Sequence, residues 1–398
     1  MPKPLPPEGH AQQIWHKHLL LLAIGTFALS LGLGLINGAS TNFFVDTLGL
    51  SGTQVLWLAG IREIPGLMLM FIAALMMHLP LARRAALSLA LMGLGYALYA
   101  SVHSYAGVIT TSLIASLGFH NWMPLQSSLG LGLTRKEHSG RVMGSLSAVG
   151  ALASILGMGL MTLLARTVSL RSFFAFGGLG IVLAALLVGR LPKNIGDTAK
   201  AKPRLLLKRR YWLYYVLTFF EGSRMQVFGT FGTLILVQHY GLQAQQIGLL
   251  LLTSALVNFI AAPRLGQLLD SLGERVVLAT SYVALALCFV GYATVHNAWF
   301  LAGMVIAINL LTTLSIGLST YVNRIAPPEE LTPTLSAGVS VNHITSVTMS
   351  LLAGTLLRVV GYENLCWGAA TIILLSVPFA LAIKTRPMPA LRPQPAGG

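Results

Sequence analysis

The stretch LPKNIGDTAKAKPRLLLKRR, residues 191–210, is the longest polar gap in an otherwise apolar chain. Six apolar segments precede it, at 19–43, 54–78, 85–103, 105–132, 142–165 and 172–190. Six follow it, at 211–238, 245–269, 275–295, 298–323, 334–358 and 364–384. Each approaches the roughly 20 residues that a helix needs to cross about 30 Å of hydrocarbon. The pattern predicts an all-α membrane protein of twelve transmembrane helices in two pseudo-symmetric six-helix bundles. Its parts would be an N-terminal tail (1–18), a first bundle (19–190), a basic linker (191–210), a second bundle (211–384) and a C-terminal tail (385–398). Composition agrees. The 398 residues are 55% hydrophobic and 9% charged, against about 25% charged in soluble domains, so a water-soluble fold would lack a polar skin.

A formal charge of +15 invites a nucleic-acid reading, but the cations sit in short gaps between apolar runs and form no basic face. Their placement instead orients the chain. Of 26 Lys and Arg, 21 fall on one side, including Arg83, Arg84, Arg135, Lys136, Arg141, Arg264 and the linker cations. Arg166, Arg171 and Arg358 fall on the other. The expectation is a multi-pass inner-membrane protein with both termini in the cytoplasm, acting as a monomer. Residues 1–18 are polar and proline-rich, and the following apolar run has no small-residue cleavage pattern, so it reads as an uncleaved first helix. Cys288 and Cys366 lie in apolar runs without CxxC spacing and read as core residues. No G-x-x-x-x-G-K-[ST] run occurs, which argues against ATP-driven work. No cofactor is expected.

The two halves carry traces of a repeat. At an offset of 192 residues, Gly49-Leu50 falls on Gly241-Leu242, Gln54 on Gln246 and Arg83 on Arg275. The gap between spans eight and nine reads Gly266-Gln-Leu-Leu-Asp270-Ser-Leu-Gly273-Glu-Arg275-Val-Val-Leu278. It resembles the G-x-L-x-D-x-x-G-x-R-x-x-L loop of the major facilitator superfamily. The resemblance implies secondary transport of a small solute by alternating access between two rocking bundles, with a proton as candidate coupling ion. It also implies a gating role for Gly266, Asp270, Gly273, Arg275 and Arg83. The first-half copy is decayed: Ala74, His78, Pro80 and Leu81 stand where the second half has Gly266, Asp270, Leu272 and Gly273. The family's fourth-span arginine motif and fifth-span Gly-Pro motif have no match, so drug–proton antiport is not inferred.

Ionisable side chains deep in a span are costly and mark function or buried pairing. Four occur: Arg62 and Glu63 in span two, Glu221 and Arg224 in span seven. Glu221 and Arg224 are i,i+3 and can pair on one face. Arg62 and Glu63 point about 100° apart and must seek partners elsewhere; Pro65 follows them. These four are expected either to line a cavity, with Glu63 or Glu221 as carrier of a coupling proton, or to form an ion-pair network that holds helices together. Polar stripes give a second signal: Thr26, Ser30, Asn37 and Thr41 in span one; Ser112, Ser116, His120 and Ser127 in span four; Asn309, Thr312 and Thr313 in span ten; Ser340, His343 and Ser346 in span eleven. In the family fold, spans one, four, seven and ten ring the cavity and eleven flanks it. Asn37, His120, Asn309 and His343 are therefore further candidates for contact with solute. No carboxylate lies near either histidine in sequence, so no metal site is expected. Trp57 and Trp122 are candidates for packing a solute's ring. A membrane-embedded enzyme would need a nucleophile or metal constellation, and none is legible. A non-transporting sensor on the same fold is the rival reading.

Overall fold

The computed structural model describes residues 8–69, 72, 75–76, 78–134, 138–195 and 207–384. Among the described residues the chain is helical, with no strand. The helices of the first half are α1 (Glu8–Asn42), α2 (Gly52–Ile61), α3 (Ile64–Leu67), α4 (Leu81–Leu98), α5 (Tyr105–Gly132), α6 (Ser139–Leu164) and α7 (Leu170–Gly189). Those of the second are α8 (Trp212–Gln238), α9 (Ala244–Thr294), α10 (Ala298–Thr313), α11 (Ile316–Ile325) and α12 (Pro328–Leu381). The first helix begins at Glu8, inside the stretch read as a tail.

Two helices are too long for one crossing. The spanning stretches Ala244–Thr294 and Pro333–Leu381 have 51 and 49 residues, roughly 75 Å at 1.5 Å per residue. Each is broken at a single glycine: Gly273 (φ 77°, ψ 162°) in α9 and Gly361 (φ 78°, ψ 172°) in α12. That region of backbone space is essentially closed to residues with a Cβ. The breaks fall where the sequence separates spans eight from nine and eleven from twelve, and Gly273 is the second glycine of the loop motif. The turns there are shorter than the polar gaps suggest, one residue in each case.

The repeat survives at the level of single hydrogen bonds. Gly49 and Gly241 adopt φ of 65° and 66°. Leu50 N–H donates to Phe44 O, and Leu242 N–H to Leu236 O, at 2.9 and 3.1 Å. Ser51 with Gln54, and Gln243 with Gln246, form matching capping boxes that start α2 and α9. All of these are equivalent at the 192-residue offset.

Within the first half, α1 packs on α6 and α7, and α4 on α5 and α7; in the second, α8 and α9 pack on α12, and α9 on α10. In lipid, close approach of helix backbones replaces the hydrophobic drive. A Cβ on Gly157 of α6 would lie 2.3 Å from Leu31 O of α1, and a Cβ on Gly34 would lie 2.3 Å from Ser154 O. At the basic end, Lys208 donates to Glu330 at 2.8 Å, and Arg210 and Tyr211 also reach that carboxylate. These contacts, Lys208 first, hold the carboxyl down to about 2 and tie the linker's end to the start of α12.

Gly157→Val forces α6 away from α1. The expected cost is about 1–3 kcal/mol, read as a lower apparent Tm of the purified protein, whereas Gly144→Val, at an open position, leaves Tm unchanged.

Candidate functional site

Pro65 creates the site's local geometry. It has no N–H and its ring collides with the carbonyl four residues back, so span two stops at Ile61 and restarts as α3 at Ile64. Arg62 and Glu63 form the bend between. Gly66 N–H turns to Glu63 O, leaving Arg62 O without its helical partner, and Ser116 Oγ of α5 donates to that oxygen. An unsatisfied carbonyl at this depth would be costly. The break and the polar stripe of α5 therefore complete one another.

From the bend the two side chains part. Arg62 extends toward Tyr96 (Nη2 to hydroxyl, 3.5 Å) and borders a cavity of about 350 Å³ between the halves. The first half lines it with Asn37, Ser40, Thr41 and Arg62, beside Phe44, Val55 and Met158. The second half contributes Thr230, Thr233, Ser254, Asn258 and Asn309, beside Leu251 and Ala255. Arg62 is the sole charge among these lining side chains. One end is sealed by paired polar groups. Thr41 and Thr233, equivalent in the repeat, share a hydrogen bond of 3.0 Å. Asn42 donates to Leu242 O at 2.9 Å, and Gln238 to Leu50 O at 3.4 Å. Trp57 Nε1 donates to Leu351 O at 3.1 Å. Every described hydrogen bond between the halves lies between the bend and the Gly49/Gly241 end; none is at the basic end.

Glu63 points to the other side of the bend. His343 of α12 bonds it (Nδ1 to Oε2, 2.8 Å), and His120 of α5 stands 3.5 Å from the same oxygen through Nε2. The two imidazoles meet edge to face with centroids 4.9 Å apart.

Several expected roles change place. Arg62, Asn37 and Asn309 border the cavity. Glu63, His120 and His343 gather in one cluster beside it. Glu221 and Arg224 are apart from both: they pair with one another and are buried, with the guanidinium 4.1 Å over the Tyr282 ring of α9. Span four contributes nothing to the cavity lining, contrary to expectation, because Ser112 is engaged with Tyr99, and Ser116 and His120 with the bend. Spans two, five and eight line it instead, through Arg62, Met158, Ser254 and Asn258. Trp57 serves as a contact between halves, and Trp122 is core. In the loop motif Arg83, Asp270 and Arg275 are exposed, while the intervening Glu274, which the sequence reading passed over, is buried and pairs with Arg324 at 2.7 Å. Ser40, Thr230, Thr233, Ser254 and Asn258 were also missed. The i,i+4 pair Ser254 and Asn258 was the one signal for span eight.

A helical membrane protein whose halves are related by a repeat, enclosing a polar cavity between them, is a solute carrier by architecture. The Major Facilitator Superfamily model matches residues 22–225 and again 214–398, and the chain belongs to that family. It is a multi-pass membrane protein and a secondary transporter. No curated protein sequence matches it. Among solved structures it is similar to a mutant of the nucleoside transporter NupG, with 14% identity, a TM-score of 0.78 and coverage of 92% of this chain and 100% of that one. It is similar also to a mutant of the peptide transporter POT, with 14% identity, TM-score 0.71 and coverage of 94% and 97%. A D-xylose-proton symporter gives 13%, 0.69, and coverage of 92% and 97%.

Thr41→Cys with Thr233→Cys, in a chain whose Cys288 and Cys366 are replaced by alanine, is expected to form a disulfide under mild oxidation. Cross-linked peptides in mass spectrometry are the readout, and transport should fall reversibly with the bond.

Proposed function

We propose that the cavity bordered by Arg62 is the solute site, and that the solute is a small polar molecule carrying at most one negative charge. The observation behind this is the lining itself: amides and hydroxyls from both halves, one guanidinium, and no carboxylate among the described residues. A cation would meet only repulsion from Arg62. A dianion would find one partner and a desolvation cost for its second charge. A neutral or singly charged solute rich in hydroxyls, amides or ring nitrogens can satisfy the amides on both sides. Phe44, Val55, Met158 and Leu251 supply apolar faces for a ring or carbon frame. Asn37 and Asn309 bind from opposite halves, so a bound solute links the two.

The positive-inside tendency puts the basic end, with Arg84, Arg264 and Arg275, in the cytoplasm of an inner-membrane monomer with both termini inside. The seal at Thr41 and Thr233 then faces outward, and this conformation admits solute from the cytoplasm. A proton gradient is the proposed drive, supported by the fold-level likeness to a D-xylose-proton symporter. Glu221 and Arg224 act as a buried pair that fixes α8 to α9. Removing one member would leave an uncompensated charge.

A thermal-shift screen of purified protein against neutral, anionic and cationic metabolites tests the class, since a ligand selective for the folded state raises apparent Tm. Hits confined to neutral and monoanionic solutes are expected; hits confined to cations would refute the reading. With a hit in hand, Arg62→Gln and Asn309→Ala should each weaken it about tenfold or more, the loss of a buried hydrogen bond to a charged group or of a polar contact left unpaired. Glu330→Gln should not. Flux into proteoliposomes should rise with an imposed pH gradient and collapse when a protonophore abolishes it.

A further inference from the structure

The cluster beside the cavity is built from three helices. Glu63 stands on the bend of span two, His120 on α5 and His343 on α12, so two members belong to the first half and one to the second. All three donor atoms lie within 4.8 Å of one another. His120 Nδ1 sits 2.9 Å from the backbone carbonyl of Ser116, which can only accept. That ring nitrogen therefore carries hydrogen, which in the neutral ring leaves the Nε2 lone pair, 3.5 Å from Glu63 Oε2, available to a metal ion. Between a neutral imidazole and a carboxylate that contact is favourable only with a proton or a metal cation between the two acceptors. His343 Nδ1 faces the same oxygen at 2.8 Å.

The space between the rings is also shaped for this. A Cβ on residue 66 would lie 2.8 Å from His120 Cδ2 and 2.9 Å from His343 Cε1. Only glycine there lets both imidazoles close on the carboxylate. Glu63 and His343 are part-buried, with side chains 13% and 15% exposed.

We propose that Glu63, His120 and His343 form a binding site for a divalent transition metal of the zinc class, bridging the two halves. Two imidazoles and one carboxylate are borderline ligands that suit zinc, cobalt or nickel and disfavour magnesium and calcium. Metal–ligand bonds of about 2.0–2.2 Å in a tetrahedron set the donors about 3.3–3.5 Å apart. The His120–Glu63 spacing already matches, and the His343–Glu63 spacing has to open by about half an ångström. The hydrogen bond from His120 Nδ1 to Ser116 supplies the outer contact that fixes a metal-binding histidine's tautomer and orientation. A fourth position remains for water. Because His343 is carried by α12 and the other two by the first half, a bound ion ties the halves together in this conformation. The site is separate from the solute cavity and does not depend on the solute class proposed above.

The test uses the full-length chain, purified without a polyhistidine tag, stripped with EDTA and titrated with Zn²⁺. One zinc per chain by elemental analysis is expected, with a rise in apparent Tm that EDTA reverses. Loading with Co²⁺ should give the intense visible bands of a four-coordinate site. Glu63→Gln, His120→Asn and His343→Asn should each weaken zinc binding by at least about tenfold. Replacing His10, His16 and His18 together should leave it unchanged. The Co²⁺ spectrum of the unaltered protein reads the site without relying on any variant's folding. No bound zinc after gel filtration, a weak six-coordinate cobalt spectrum, undiminished binding in the Glu63 and His343 variants, or loss of binding in the tail variant would each overturn the proposal.

Discussion

Hydrocarbon offers no hydrogen-bond partner, so every polar group at mid-membrane must find one inside the protein. The interior of this transporter is arranged around that constraint. At the break in span two, Pro65 interrupts the helix, and Gly66 N–H turns to Glu63 O, which strands the carbonyl of Arg62. Ser116 supplies the missing donor, which pins α5 against the bend. With the bend held, Arg62 and Glu63 leave it in different directions, one toward the cavity and one toward the histidines.

The same constraint explains the seal. Where the halves meet at the Gly49/Gly241 end, their contacts are hydrogen bonds between uncharged groups: Thr41 with Thr233, Asn42 with Leu242, Gln238 with Leu50. Each is of modest net strength, about 0.5–1.5 kcal/mol. A seal made of such contacts can be exchanged for water or for solute hydroxyls without a large barrier. The Glu221–Arg224 pair is different. It is buried within one half against Tyr282, and its separation would leave bare charges. The buried ion pair is thus kept inside one half, while the seal at the Gly49/Gly241 end is made of uncharged groups.

The sequence made much of this legible. Apolar length pointed to the helices, and the 192-residue offset anticipated paired turns that match bond for bond. Arg62, Asn37 and Asn309 stood out because a charge or amide in a span is rare. Glu63, His120 and His343 were visible singly, but their meeting was not: they lie on spans two, four and eleven, and no spacing connects them. The stripe on α5 was read as cavity lining. It serves instead to repair a break, which requires knowing that α5 faces Arg62. Ser254 and Asn258 lie in a helix whose other residues are mostly apolar, so no stripe announced them. The one-residue turns at Gly273 and Gly361 were obscured because polar gaps mark where a chain may turn, while backbone angles decide how tightly.

The account depends on a water-accessible cavity between the halves that closes at one end and receives the solute. Its most direct test is the accessibility of a single cysteine at Ser254, in a chain lacking Cys288 and Cys366, to a membrane-impermeant thiol reagent added from either side. The account predicts modification from the side of the basic loops, slowed by a transported solute. Absence of modification from both sides, or modification indifferent to every solute that the protein carries, would contradict it.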